Sequence, residues 1–267
     1  MLILFILLAF LIILPIWILF VASFKPGSDL LQYGLNLDIN LSRFSLDNFN
    51  LLFTGDHDYW TWFFNSIILT FVTVVSTLLV SAFVGYGFAV YEFKGKKVMF
   101  IIVLIILSIP LEVVMLPLYK QMSNWGLMDS YVAVVLPFVA HASTIFFFRQ
   151  YLIGIPKSIL EAGRIDGATE YGIFFRLVMP IMKPAFSAMA ILNGMNAWNN
   201  YLWPLLVIRS SSKYTLTLGL NTLINPYGDN YSLLIVGSCF SVIPIFILFV
   251  SFQKYFIEGM TAGAVKG

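Results

Sequence analysis

Between Glu161 and Pro180 the chain reads EAGRIDGATEYGIFFRLVMP, a glycine-punctuated block holding two arginines, two glutamates and an aspartate. What it means depends on its surroundings. Of all 267 residues, 60% are hydrophobic and 10% charged, whereas soluble domains carry about 25% charged and about 45–50% apolar residues. The expected solvent is therefore a bilayer. Runs of roughly 20 apolar residues cross ~30 Å of hydrocarbon as helix, and helices and closed barrels alone satisfy their backbone polar groups there. Six continuous runs occur, at about 2–24, 63–90, 98–119, 130–150, 180–207 and 233–256. Their continuity excludes the alternating pattern of a barrel strand. The first is longer than the apolar core of a signal peptide, has no positive segment before it and shows no small-residue cleavage site, so a mature span is expected. The predicted fold class is an all-α polytopic membrane protein, a single transmembrane domain over 1–267 with six transmembrane helices and a loop at 151–179 between the fourth and fifth.

Lysine and arginine are enriched on the cytoplasmic side of short loops. With the N-terminus inside, the inner set is Lys94, Lys96, Lys97, Arg149, Lys157, Arg164, Arg176, Lys183, Lys254 and Lys266, and the outer set is Lys25, Arg43, Lys120, Arg209 and Lys213. Ten against five favours both termini inside, although Lys25, directly after a first run with no preceding positive residue, points the other way. The 151–179 loop is then cytoplasmic. The net charge of +2 is too small to imply nucleic acid, and the lone cysteine, Cys239, excludes an intrachain disulfide.

Within that loop Ser158 and Glu161 form a capping-box pattern at a helix start, and Gly167 is expected to stop the helix. A second short helix starts at Thr169, carries Ile173, Phe174 and Leu177 at helical spacing and ends before Pro180. Small residues (Ala162, Gly163 and Ala168) sit amid Glu161, Arg164 and Asp166. Such a face permits close approach by another protein, with the ionic groups setting register. It equally describes an amphipathic helix resting on headgroups, and the residues alone leave both open.

The block resembles the signature loop of membrane subunits of bacterial binding-protein-dependent ABC importers, written Glu-Ala-Ala, three residues, Gly, nine residues, Ile-x-Leu-Pro. Glu161, Ala162, Gly163, Gly167, Leu177, Met179 and Pro180 fall at that spacing, with Gly163, Leu177 and Met179 as departures that keep size or apolarity. Similarity extends through NSIILTFVTVVSTLLVSAFVGYGFAVYEFKGKK, IPLEVVMLPLY, GRIDGA, AWNNYLWPLLV, YTLTLGL and GMTAGAVKG, which together resemble the smaller membrane subunit of maltose-type carbohydrate importers. The resemblance implies a permease in the bacterial cell membrane that forms half of a sugar (oligosaccharide) translocation pore. Its implied partners are a second homologous membrane subunit, two cytoplasmic ATPase subunits and an extracytoplasmic solute-binding protein. Glu161, Ala162, Gly163, Asp166, Gly167 and Ala168 would form the coupling helix. The tail, Thr261, Ala262, Gly263 and Lys266, would reach the ATPase interface. The loop bearing Tyr227, Gly228 and Asp229 would meet the binding protein. ATP and Mg would belong to the partner ATPases, since the chain has no G-x-x-x-x-G-K-[ST] phosphate loop.

No enzyme or metal site is expected: the histidines are His57 and His141, without Cys/His ligand spacing. The competing reading is an ion-coupled secondary transporter of small solutes, for which Glu112, between Pro110 and Pro117, is the candidate midplane acid. Its plainer reading is a carboxyl near the outer end facing the bundle interior. In the fifth run Asn193, Asn196 and Asn200 are expected on one face, interleaved with Trp198, Tyr201 and Trp203. Amides beside aromatic rings suit a sugar along the pore, and equally suit interhelical glue. Asn65, Ser66, Thr70 and Thr73 invite the same two readings.

Overall fold

The computed structural model describes residues 1–34, 40–224 and 231–262, with the side chains of 30, 31, 41 and 255–262 left aside. Among the described residues the regular structure is helical, with α-helices in the order α1 Leu2–Ala22, α2 Gly27–Tyr33, α3 Asp47–Thr54, α4 Tyr59–Val90, α5 Lys96–Leu107, α6 Leu111–Asn124, α7 Tyr131–Val135, α8 Ala142–Ile153, α9 Lys157–Ile165, α10 Glu170–Ile173, α11 Met179–Ile181, α12 Lys183–Trp198, α13 Leu202–Val207, α14 Leu216–Thr222 and α15 Tyr231–Ala262. Three helices, Leu2–Ala22, Tyr59–Val90 and the Tyr231–Lys254 part of α15, are long and apolar enough to cross a membrane. Three further pairs qualify jointly but are bent: Lys96–Leu107 with Leu111–Asn124 by 105°, Tyr131–Phe138 with Ala142–Ile153 by 41°, and Glu170–Ile181 with Lys183–Trp198 by 77°. Six spans result if each bent pair is one crossing.

The bends have identifiable causes. A proline lacks the N–H of the helical ladder, and its ring crowds the carbonyl four residues back. Pro110 occupies the position before α6, in extended conformation, which ends α5 at Leu107. Pro204 would crowd the carbonyl of Asn200, and the fifth run breaks at 199–201 between α12 and α13. Pro137 frees the carbonyl of Ala133, which instead accepts a 2.9 Å hydrogen bond from Trp203 Nε1. At the α7–α8 break, Thr77 Oγ1 donates to the carbonyl of Phe138 at 2.7 Å. In hydrocarbon such carbonyls have no water to turn to, so side chains must supply the partners.

The chain divides into two compact units, Met1–Ser66 with Arg209–Phe246, and Ile67–Ile208 with Ile247–Gly267. In the first, Tyr59 is fully buried and donates to the carbonyl of Gly237 at 2.9 Å. Trp62 Nε1 donates to the carbonyl of Ser211 at 3.0 Å, and its indole fills the space where a Cβ on Gly219 would stand. Asn48, itself buried, donates to the carbonyls of Ser23 and Lys25, at 2.9 and 2.6 Å, fastening the exit from α1. The core of the second unit joins Leu78, Ala82 and Tyr86 of α4, Phe148 and Leu152 of α8, and Ala185 and Met189 of α12 with Leu160, Ile173 and Phe174 of the 151–179 loop.

Candidate functional site

The site is the elbow at 157–181. Its first limb, α9, starts at Lys157 behind Pro156, whose fixed φ sets the entry, and no side chain caps it. The expected Ser158–Glu161 capping box is therefore not made: the helix starts two residues early, behind the proline, and leaves Ser158 inside the first turn. Gly167 does end the limb. Its φ is +78°, a region open to glycine at no steric cost. The amide of Ala168 bonds the carbonyl of Gly163 at 3.0 Å, and that of Gly167 the carbonyl of Arg164 at 3.1 Å, the paired closure of a Schellman motif.

The second limb begins as expected. Thr169 is its N-cap, with Oγ1 accepting from the Gly172 amide at 3.1 Å. It does not stop before Pro180. The backbone widens into a π-turn over Phe174–Val178 and runs on through Met179–Ile181. The wider turn relieves the conflict between Pro180 and the carbonyl of Arg176 four residues back. The helix breaks instead at Met182.

Leu160, Gly163, Ile173 and Phe174 face inward. Glu161, Ala162, Asp166, Gly167 and Ala168 are exposed. Gly163 thus departs from its expected place on the outer face: a Cβ there would lie 2.7 Å from Leu177 Cδ1 and 3.1 Å from Ile173 Cγ1, so it serves closure of the two limbs. Two residues missed in the sequence stand out beside the small face, Ile165 at 85% exposure and Tyr171 at 73%. A helical wheel on α9 reveals the first, since Ile165 lies about 140° from Leu160 at 100° per residue.

An ionic cluster closes the elbow. Arg164 Nε donates to Glu170 Oε1 at 2.7 Å and its terminal nitrogen to Oε2 at 3.3 Å. The hydroxyl of Tyr91, just past α4, donates to the same Oε2. The Arg164 guanidinium first, and the Tyr91 hydroxyl next, hold the Glu170 carboxyl below its ordinary pKa. Burial, and then the bond to Glu170, push that of Tyr91 upward.

In α12 and beyond, Asn193, Asn196 and Asn200 do not form one helical face. Asn193 donates to Thr144 Oγ1 at 3.1 Å and to the carbonyl of Met189 at 2.8 Å. Asn196 is exposed, Trp198 is buried, and Asn200 lies in the break, where its Oδ1 accepts from the Trp203 amide at 3.4 Å. Asn65 donates to the carbonyls of Ser212 and Tyr214, at 2.9 and 3.0 Å, and Ser66 Oγ accepts from the Leu216 amide at 2.7 Å; Thr70 and Thr73 are buried. Glu112 is exposed in the first turn of α6, where free helix N–H groups favour a carboxylate, and not turned into a bundle interior. Tyr227, Gly228, Asp229, Gly263 and Lys266 lie outside the described residues, as do the side chains of Thr261 and Ala262.

Residues 77–262 match the family described as binding-protein-dependent transport system inner membrane component. The chain is 52% identical over 263 residues to the arabinooligosaccharides transport system permease protein AraQ of Bacillus subtilis (strain 168), covering 98% of this chain and 94% of that protein. It is 35% identical over 204 residues to the lactose transport system permease protein LacG of Rhizobium radiobacter, covering 76% and 74%. A crystal structure of a bacterial ABC transporter involved in the import of the acidic polysaccharide alginate shares the fold, with a TM-score of 0.83, 24% identity and 95% of this chain covered against 94% of that one. The match over most of the chain, with its apolar helices, makes it a multi-pass membrane permease, and it belongs to the family of binding-protein-dependent transport system inner membrane components.

Proposed function

We propose that the chain is one of two membrane subunits of an ATP-driven oligosaccharide importer, a single transmembrane domain with both termini in the cytoplasm. The observation that carries this reading is the exposed face of the elbow, where Glu161, Ala162, Asp166, Gly167 and Ala168 form a small, charged patch flanked by Ile165 and Tyr171. Small residues admit a partner's backbone closely, and two protruding apolar side chains supply the anchors that docking surfaces use. The partner is a cytoplasmic ATPase subunit, which binds ATP and Mg. A second ATPase, a second membrane subunit and an extracytoplasmic solute-binding protein complete the assembly. The tail from Thr261 serves the ATPase interface, and Tyr227, Gly228 and Asp229 serve the binding protein. Asn196, exposed on α12, lines the sugar path, with Asn193, Trp198 and Asn200 as its support.

The relative at 52% identity, named for arabinooligosaccharide transport, supports arabinose-containing oligosaccharides as the solute class. Proteoliposomes holding the whole complex, offered labelled mono- to oligosaccharides with and without internal ATP and external binding protein, test this. Uptake of arabino-oligosaccharides that requires both additions is expected. Uptake driven by an ion gradient without ATP overturns it in favour of secondary transport.

A further inference from the structure

The half-exposed Arg164–Glu170 pair joins the limbs of the elbow, with each side chain 43% exposed. As a surface ion pair it contributes little to stability, which leaves its geometry to be explained. The Glu170 carboxylate is fully engaged: Oε1 takes Arg164, and Oε2 takes both Arg164 and Tyr91. Tyr91 belongs to neither limb. It directly follows Val90, the last residue of the 32-residue helix α4, and its amide continues that helix's ladder to the carbonyl of Gly87 at 3.3 Å. Its own carbonyl accepts Lys96 Nζ at 2.8 Å, from the first residue of α5. Its ring meets that of Tyr86 edge-on at 5.7 Å, and Tyr86 in turn meets Phe174, in the π-turn, at 5.1 Å. The phenol is therefore held at backbone, ring and hydroxyl.

We propose that Arg164, Glu170 and Tyr91 are positioning residues for transport, a clasp that transmits displacement of the elbow to the ends of α4 and α5. The proposal rests on the reading that the elbow docks an ATPase. Arg164 makes the two limbs move as one body, and the Tyr91 hydroxyl fastens that body to a membrane helix. Without the hydroxyl the elbow still docks, but its motion reaches α4 through apolar contacts alone, which slide.

The test uses the whole importer in proteoliposomes and reads ATP hydrolysed per solute imported, a ratio that a merely structural role leaves unchanged. Tyr91→Phe removes one oxygen and should raise the ratio at least about fivefold, the lower end of ordinary coupling between sites, with normal subunit composition and melting. Glu170→Leu leaves the Tyr91 hydroxyl no polar partner at 170 and should raise the ratio at least as far as Tyr91→Phe, whereas Glu170→Gln retains an acceptor and should lie closer to wild type. A wild-type ratio in Tyr91→Phe or in Glu170→Leu overturns the clasp. A wild-type complex that carries no ATPase overturns the docking reading and the clasp with it.

Discussion

Gly163 and Leu177 differ together from the signature to which this loop is similar, glycine for alanine and leucine for isoleucine, and the structure places them against each other. The 2.7 Å between a Cβ on Gly163 and Leu177 Cδ1 means that leucine occupies the space an alanine methyl would need. The two departures compensate. Gly163→Ala gains roughly 1 kcal/mol of helix propensity but meets that clash, and Leu177→Ile withdraws the offending methyl. A double-mutant cycle on thermal unfolding should therefore show Gly163→Ala more favourable by at least about 0.5 kcal/mol with Ile at 177 than with Leu, the range for residues in contact. Strict additivity would refute the compensation. On the outer face, Ile165→Asp and Tyr171→Ala should leave melting unchanged, since both side chains are solvent-exposed. Each should weaken ATPase retention during purification by about tenfold or more, as anchors at protein interfaces do. Full retention in both would show that the partner does not use this face.

At the scale of elements, what the sequence disclosed and what it hid divide along a physical line. Helix class, the stop at Gly167 and the start at Thr169 were legible because they depend on local chemistry: apolar run length, a φ that glycine adopts freely, a hydroxyl three residues before an amide. The breaks were not, although every proline behind them was visible. Whether a proline ends a helix, as expected at Pro180, or is absorbed depends on how the backbone around it adjusts. Pro180 is accommodated by a π-turn, whereas Pro204 opens the chain at 199–201 and so removes Asn200 from the face shared by Asn193 and Asn196. The rescue of freed carbonyls is equally non-local: Trp203 reaches Ala133, and Thr77 reaches Phe138. Thr77→Val keeps shape but orphans the Phe138 carbonyl at the α7–α8 break. It should lower stability by roughly 1 kcal/mol, read as a lower melting temperature in detergent, while Ser76→Ala, one residue away and bonded within its own helix to Val72, should not. Equal melting of Thr77→Val and wild type would mean that another donor serves that carbonyl.

For the whole molecule the decisive question is how many times the chain crosses the bilayer, because the elbow can meet a cytoplasmic partner only if 151–179 lies inside. The charge count puts Lys97, Lys157 and Lys183 inside and Lys120 and Lys213 outside, with Lys25 dissenting near α1. The 105° bend between Lys96–Leu107 and Leu111–Asn124 sharpens the issue. A crossing pair separates Lys97 from Lys120 by the membrane, whereas a re-entrant pair returns both to one side and reverses the sidedness of everything before or after it. Single cysteines at Lys97, Lys120, Lys157 and Lys213, in a Cys239→Ser background, distinguish these outcomes by labelling of intact cells with an impermeant maleimide. Lys120→Cys and Lys213→Cys should label from outside, and Lys97→Cys and Lys157→Cys only after permeabilisation. Labelling of Lys97→Cys and Lys120→Cys from the same side would make the third run re-entrant. Labelling of Lys157→Cys from outside would remove the elbow from the cytoplasm, and with it the physical basis for driving this permease by ATP.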